Sequence, residues 1–562
     1  MAKDRLADDT LRIGLGCMRL STGEDRDDGR AVATIAAALD AGITLFDTAR
    51  SYGDNERLLA RALRGSGARI VTKGGMTRAG GAWVPDGRAG TIRADCEASL
   101  EALDGLPIDL YLVHAPDPRT PWRTTVRALA RLADEGLVRT VGVANVNRRL
   151  LDEALDLAPV AAVQVALSVF DTAAVRGGVV ERCVEAGVAV IAHSPLGGPR
   201  RRARLARDET LSRVAHAHDA TPAQVALAWL LALSPNVVAI PGARRPEAAR
   251  AAAVTLALDE AELASLTDAR PARPRSRRTG ADVVLVMGVP GAGKTRFAED
   301  YLAQGYERLN RDERGGSLRE LADELDERLA AGTGKVVLDN TYLTRASRSY
   351  VLDAAGRHGA PVRCAWLDTP LAQAQVNLVE RLLERHGSLP DPDELRVLAR
   401  TEQGALAPTS QMRTFRELEP PALDEGFAAV ERVEFARVAR GAGAGVFVAA
   451  AALVRPGGAT AVAQVDPRAP HLVFDWRPGG TVEELASCGS ALAAEVTGDV
   501  ESALCPHGGG PPICWCRPPL PGLPLAFALR RGIDPARSVL VGTSSAHRTL
   551  AATLGARFVE LT

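Results

Sequence analysis

The run FDTARSYG places Asp47 at the end of an apolar stretch and Tyr52 five residues further on. Lys73 closes the apolar stretch RIVTKG, and His114 closes DLYLVHA. These four residue types suit the reduction of a carbonyl, which needs a hydride at carbon and a proton at oxygen. A phenol with an ordinary pKa near ~10 gives up its proton reluctantly at neutral pH. A neighbouring ammonium lowers that pKa, and a carboxylate fixes the ammonium in place. An imidazole can hydrogen-bond the carbonyl oxygen and orient it. Of 68 basic residues only Lys3, Lys73, Lys294 and Lys335 are lysine. Arginine serves equally for surface charge, so lysine is needed only where a compact ammonium or a shiftable pKa is required. Two of the four fall inside motifs, which gives weight to Lys73 and Lys294.

Lys294 lies in GVPGAGKT (288–295), a complete GxxxxGK[ST] run that follows the apolar stretch DVVLVMG. The N–H groups of a loop built on Gly288, Gly291 and Gly293 can cradle phosphates. Lys294 reaches the β/γ oxygens of ATP and Thr295 holds Mg²⁺. A third set is CPHGGGPPICWC, with Cys505, His507, Cys514 and Cys516. Three thiolates and one imidazole suit a closed tetrahedral Zn²⁺ site. Glycine and proline keep this loop irregular, so a metal can order it. The remaining cysteines, Cys17, Cys96, Cys183, Cys364 and Cys488, are scattered, a pattern that favours a metal site over a disulfide framework.

The elements that must position these groups alternate. From about residue 11 to 270, apolar runs such as ITLFDTA (43–49), RIVTKG (69–74), DLYLVHA (109–115), TVGVANV (140–146), AAVQVAL (161–167), VAVIAHSPL (188–196) and VVAIPG (237–242) are separated by helical patterns, for example 28–41 and 91–103. About eight βα units in ~260 residues predict a closed (β/α)₈ TIM barrel, with its chemistry at the strand C-terminal ends. PARPRSRRTG reads as a linker. The divisions are therefore 1–270, a linker at 271–281, a P-loop parallel α/β domain at 282–440, and a small α/β domain at 441–562. Arg200, Arg201, Arg202, Arg204 and Arg207 read as a solvated loop. A length of 562 residues exceeds one hydrophobic core, and 46% apolar with 24% charged residues is an ordinary globular composition. The formal net charge of −1 gives no whole-chain attraction to nucleic acid or membrane. The polar N-terminus and the lack of a spanning apolar run predict a cytoplasmic protein without a membrane partner.

Residues from about 10 to 268 resemble the aldo-keto reductase family, through GLGCMRLS, FDTARSYGDNE, TKGG, LVHAPD, GVANVN, QVALSVF, SPLGG and IPGARRPE. The resemblance implies a nicotinamide cofactor and a small carbonyl substrate, with Asp47, Tyr52, Lys73 and His114 as the catalytic set. It assigns Asn145 and Gln164 to the nicotinamide carboxamide, Ser194 and Leu196 to the pyrophosphate loop, and Gly242 and Arg245 to the adenosine phosphate. Arg244 and Arg245 together suit a 2′-phosphate and so favour NADPH. Ala252 stands where the family usually has an adenine-contacting asparagine.

Residues 282–437 are similar to the polynucleotide 5′-hydroxyl kinases, through the P-loop, RLNRDERGG, KVVLDNTYL and QVNLVERLLERHG. The similarity implies Asp312 as general base, Asp339 as the second acid of the site, and Arg381 and Arg385 as a lid, with a nucleic-acid 5′ end as acceptor. Gly315 replaces that family's phosphate-binding arginine, so a nucleoside or other hydroxyl compound stays open. The last segment resembles the zinc loop of phosphatases in the haloacid dehalogenase (HAD) superfamily. Ala449 and Ala451 stand where their aspartates would, Pro518 replaces a lysine, and Gly542-Thr543 replaces a metal-binding Gly-Asp. The HAD-like domain is therefore expected to be catalytically silent. The leading expectation is a carbonyl reductase fused to a kinase and a dead phosphatase. Two others are a kinase whose barrel senses nicotinamide redox state, and a C-terminal zinc module used for interaction alone.

Overall fold

The computed structural model describes residues 11–22, 25–79, 82–267, 280–402, 404–437 and 441–561. The chain divides into two compact units, Met1–Ala272 and Arg273–Thr562. Most of the expected linker lies outside the described residues. No helix among the described residues is long and apolar enough to cross a membrane.

In the first unit eight parallel strands run in sequence order: β1 Leu15–Gly16, β2 Leu45–Asp47, β3 Arg69–Gly74, β4 Leu110–Val113, β5 Thr140–Ala144, β6 Val160–Ala166, β7 Ala189–His193 and β8 Val237–Ala239. A parallel bridge between Ile13 and Ala239 joins the last strand to the first and closes the barrel. Strand side chains alternate between two faces. Leu45, Val71, Leu110, Leu112, Ala162, Ile191, Val238 and Ile240 form a cluster of their own, the filling of the barrel. The larger cluster, with Phe46, Ile70, Tyr111, Val143, Val163 and Val190, lies on the other face of the strands. Adding two residues to the inward positions gives Asp47 from Leu45, Lys73 from Val71, His114 from Leu112, Gln164 from Ala162 and His193 from Ile191. The apolar filling thus changes to polar groups at one end of the strands. Gly142 allows the close approach of β5 to β6: a Cβ there would lie 2.3 Å from the Ala162 carbonyl oxygen.

Two features depart from expectation. An antiparallel hairpin, Met76–Ala79 with Ala82–Pro85, follows β3. The arginine run forms a helix, Gly198–Leu205, rather than a loop. Arginine is a good helix former, and here Arg204 stacks over the Phe170 ring while Arg201 donates to the Phe170 carbonyl. The side chains of Arg200 and Arg202 lie outside the described residues.

The second unit holds two five-stranded parallel sheets. The first contains β9 Asp282–Met287, β10 Glu307–Leu309, β11 Lys335–Asp339, β12 Val362–Asp368 and β13 Ala429–Glu434, in the order β10-β11-β9-β12-β13. The second contains β14 Val446–Ala449, β15 His471–Trp476, β16 Val500–Cys505, β17 Val539–Gly542 and β18 Arg557–Glu560, in the order β16-β15-β14-β17-β18. In both, the order reverses at the first strand, where parallel sheets open a crevice at their C-terminal ends. The P-loop follows β9 and Ala449 ends β14. The two sheets are joined through the helix Leu371–His386. Its Val379, Leu382 and Leu383 cluster with Phe447, Phe474, Phe527 and Leu550 of the last sheet and its helices, while its Ala374 packs with Val284 and Val286 of the P-loop sheet.

A buried ion pair fixes the chain that follows Asp339. Arg348, 0% exposed, meets Glu425 at 2.6 Å and also donates to the carbonyls of Tyr342 and Glu419. Removing one partner leaves an uncompensated charge in the core. Arg348→Met should therefore destabilise the second unit by about 3–5 kcal/mol. Calorimetry of the full chain should show the second unit's transition moving while the barrel's stays.

Candidate active sites

At the barrel mouth Lys73 is almost fully buried. Its Nζ donates to both carboxylate oxygens of Asp47, at 2.7 and 2.8 Å, and to the Thr48 carbonyl at 2.7 Å. Gln164 Nε2 donates to the same Asp47 carboxylate at 2.7 Å. The Tyr52 ring lies over the ammonium, 5.4 Å from Nζ to centroid. Tyr52, His114 and Trp83 form a trio with centroids 5.7–6.0 Å apart, Tyr52 edge-on to both and Trp83 tilted against His114. Trp83 comes from the hairpin and is steadied by Arg78, whose guanidinium stacks 4.5 Å from its ring. The four predicted catalytic side chains are thus brought together.

The predicted cofactor residues follow the rim. Asn145 takes a left-handed backbone (φ 56) and Nδ2 donates to the His114 carbonyl. This leaves Asn145 Oδ1 facing His193 Nε2 at 3.0 Å, so the imidazole carries its proton on Nε2. His193 Nδ1 lies 3.2 Å from the Ser194 hydroxyl. Ser194 is also left-handed (φ 52), and Leu196 is half-buried beside it. Gly242 and Arg245 are exposed at the far end of the rim. Arg244 is not free there but paired with Asp25. Ala252 is buried in the helix Pro246–Ala252.

In the second unit the P-loop closes on itself. Gly288, Gly291 and Gly293 all have positive φ, and a Cβ on Gly291 would lie 2.3 Å from the Ala374 carbonyl oxygen. Lys294 Nζ donates to the carbonyls of Gly288 and Val289, at 2.9 and 3.0 Å. Thr295 is exposed in the first turn of the following helix. Three side chains brace the loop from outside: Asn377 donates to the Gly291 carbonyl, Gln411 to Pro290 and Thr369 to Ala292. Asp312 is exposed on the short helix Arg311–Arg314, which Asn310 caps. Arg381 is near enough to act on Lys294 electrostatically, but Arg385 is held by Glu402 at 3.1 Å. Of the two arginines expected to form a lid, Arg381 is the one whose charge reaches the loop. Asp339 has both oxygens engaged by Arg308, at 2.8 and 2.6 Å. It fits a metal ion less well than its place in the sequence implies.

Cys505, His507, Cys514 and Cys516 converge, with all ligand atoms within 4.8 Å of one another. Cys505 Sγ lies 3.6 Å from Cys514 Sγ and 3.3 Å from Cys516 Sγ, and His507 Nδ1 lies 3.2 Å from Cys516 Sγ. Metal–ligand bonds of ~2.0–2.3 Å in a tetrahedron give edges of ~3.3–3.8 Å; the Cys505–Cys514 separation matches, and the two contacts to Cys516 are slightly tighter. The donor set suits Zn²⁺.

Residues 12–270 match the aldo/keto reductase family and residues 283–401 match the AAA domain family. The aldo-keto reductase str7 of Strobilurus tenacellus is 32% identical over 273 residues, 42% of this chain and 80% of that protein. The chain belongs to the aldo/keto reductase family. A probable aldo-keto reductase 1 of Glycine max is 34% identical over 269 residues, 41% of this chain and 76% of that one. A solved aldo-keto reductase from Klebsiella pneumoniae, in complex with NADPH, is 28% identical and covers 45% of this chain and 89% of its own, with a TM-score of 0.40.

The electrostatics of this reductase site are set by burial. Burial opposes the Lys73 charge, but Asp47 and Tyr52 more than offset it, so its pKa is raised and it stays an ammonium. Burial also raises the Tyr52 pKa, and the opposing pull of Lys73 only limits the rise. The expectation that Lys73 brings the phenol below its usual value is corrected: desolvation outweighs it, and Tyr52 stays protonated. His114 is pushed down to about 3 by burial, Lys73 and His193, and His193 to about 4 by burial and Lys73. Both imidazoles are neutral. Lys294 is pushed down to about 8, chiefly by burial, with Arg381 adding to the fall and Asp339 and Asp312 opposing it.

Sequence reasoning missed His193, Trp83 and Arg308. His193 had a usable signal, since it ends a barrel strand on the inward parity. The two histidines have a consequence for acid stability. Their folded pKa values lie below the unfolded value near ~6.5, so the unfolded chain binds more protons below that pH. Their contribution to stability is present above pH ~6.5 and is lost as pH falls towards the folded values. The barrel's melting temperature should drop across that window, and His114→Gln should make the drop shallower.

Proposed function

We propose that the first unit reduces aldehydes or ketones with NADPH. The observation that carries this reading is the buried Lys73–Asp47 pair directly under Tyr52. Asn145, Gln164, Ser194 and Leu196 would line the nicotinamide and pyrophosphate, and Gly242, Arg244 and Arg245 the adenosine end. A 2′-phosphate would replace Asp25 as the partner of Arg244. When bound, NADPH supplies the hydride to the carbonyl carbon. Tyr52 gives its O–H proton to the carbonyl oxygen, and Lys73⁺ stabilises the phenolate left behind. Neutral His114 donates one N–H to the same oxygen and fixes its position. Trp83, brought in by the hairpin, would form an aromatic side of the substrate site next to Tyr52 and His114.

Tyr52→Phe removes the proton donor and keeps the ring. NADPH-dependent turnover of simple aldehydes should fall at least about 100-fold, while NADPH binding, followed by fluorescence, stays within about 3-fold. Unchanged turnover would sink the reading.

For the second unit we propose ATP-dependent phosphoryl transfer to a hydroxyl acceptor, with a nucleic-acid 5′ end as the first class to test. The P-loop amides and Lys294 would hold the phosphates once Lys294 turns from its own carbonyls. Arg381 would neutralise the transferring group and Asp312 would take the hydroxyl proton. Thr295 is placed to hold Mg²⁺, which neutralises phosphate charge. The crevice of the last sheet lacks a nucleophile at Ala449 and Ala451, so that part is read as a zinc-stapled, catalytically silent HAD-like domain. Labelled γ-phosphate should pass from ATP to 5′-hydroxyl DNA or RNA oligonucleotides, and Lys294→Ala should abolish it. ATP binding without transfer to any oligonucleotide would restrict the acceptor to small hydroxyl compounds.

A further inference from the structure

A single residue, Trp515, separates Cys514 from Cys516, and it is 1% exposed. Its ring does not belong to the thiol cluster. It sits in the core between the helix Leu371–His386 and the last sheet, with Leu382, Leu383 and Leu395. Its Nε1 donates to the Leu406 carbonyl at 2.8 Å. Leu406 lies just before the helix Pro408–Glu417, whose Gln411 is 0% exposed. Gln411 Nε2 donates to the Pro290 carbonyl at 3.0 Å, inside the P-loop. Leu389 packs against both the thiol cluster and this core. The thiol cluster is therefore joined to the P-loop by two buried hydrogen bonds and one short stretch of chain.

The alternatives to each bond are poor. An indole N–H or an amide N–H₂ left unpaired in the core carries a desolvation cost. If the loop around Trp515 loses its shape, both the hydrogen bond to the Leu406 carbonyl and the packing beneath Leu382 and Leu383 go with it. The same helix, Leu371–His386, carries Arg381 and the Asn377 brace. A metal that fixes Cys514 and Cys516 fixes Trp515 between them.

We propose that Trp515 is a positioning residue for the P-loop, which couples metal occupancy of the Cys505/His507/Cys514/Cys516 site to nucleotide binding through Leu406 and Gln411. This rests on the P-loop and zinc readings above. Linkage makes the coupling reciprocal: zinc favours ATP, and ATP favours zinc, by the same factor.

The test uses the full-length chain, a fluorescent ATP analogue, and release of zinc to a chromogenic chelator. Trp515→Phe keeps the ring and loses the donor. It should retain zinc and melting temperature, yet weaken ATP binding about 3–10-fold, the size of coupling that packed networks carry. Gln411→Met should do the same, and the double variant should be no worse than the weaker single, because both lie on one path. In the wild type, ATP should slow zinc release, and in Gln411→Met it should not. This second measurement stands even if Trp515→Phe fails to fold. Unchanged ATP affinity in a zinc-loaded Trp515→Phe, additive single effects, or zinc release indifferent to ATP in the wild type overturns the proposal alone. A wild-type chain that binds no ATP overturns the P-loop reading and this proposal with it.

Discussion

The buried pair of Lys73 and Asp47 is the constraint around which the barrel mouth is arranged. Neither charge would be tolerated in the barrel's interior alone. Each is satisfied by several groups at once: Asp47 accepts from Lys73 at both oxygens and from Gln164, and Lys73 also donates to the Thr48 carbonyl. A guanidinium in place of Lys73 would need space for a planar fork that this packed position does not offer. That explains why lysine persists here in a chain that otherwise uses arginine. Burial keeps His114 and His193 neutral, the ammonium adds to that effect, and it limits the rise in the Tyr52 pKa.

Much of this was legible because a barrel strand has a period of two. Once Leu45, Val71, Leu112 and Ile191 are taken as filling, the next inward positions are fixed, and all of them are polar. What the pattern could not show was local or long-range. MTRAGGAWVP has the composition of a loop, so the hairpin that delivers Trp83 carried no strand signal. Arg308 in ERLNRD reads as surface charge, and only the pairing of β10 with β11 places it on Asp339.

The second unit shows a different limit of sequence reasoning. QVNLVERLLERH has apolar residues on more than one face, which signals burial but not between what. The structure answers with a helix whose Ala374 packs on the P-loop sheet and whose Val379, Leu382 and Leu383 pack on the last sheet. Gly291 makes this contact possible, since only a residue without a side chain can lie so close to Ala374. The last sheet ends its first strand on Ala449 rather than on a carboxylate, and it is held to the P-loop part through this same helix.

On the proposed NADPH reading, the pairing of Arg244 with Asp25 alters what cofactor affinity means at the rim. An anion that arrives there displaces a carboxylate already in place. The gain is the difference between two ion pairs rather than the worth of one. Salt screens the incumbent pair as well as the newcomer. Binding of a phosphorylated cofactor should therefore respond less steeply to ionic strength than the number of nearby arginines suggests.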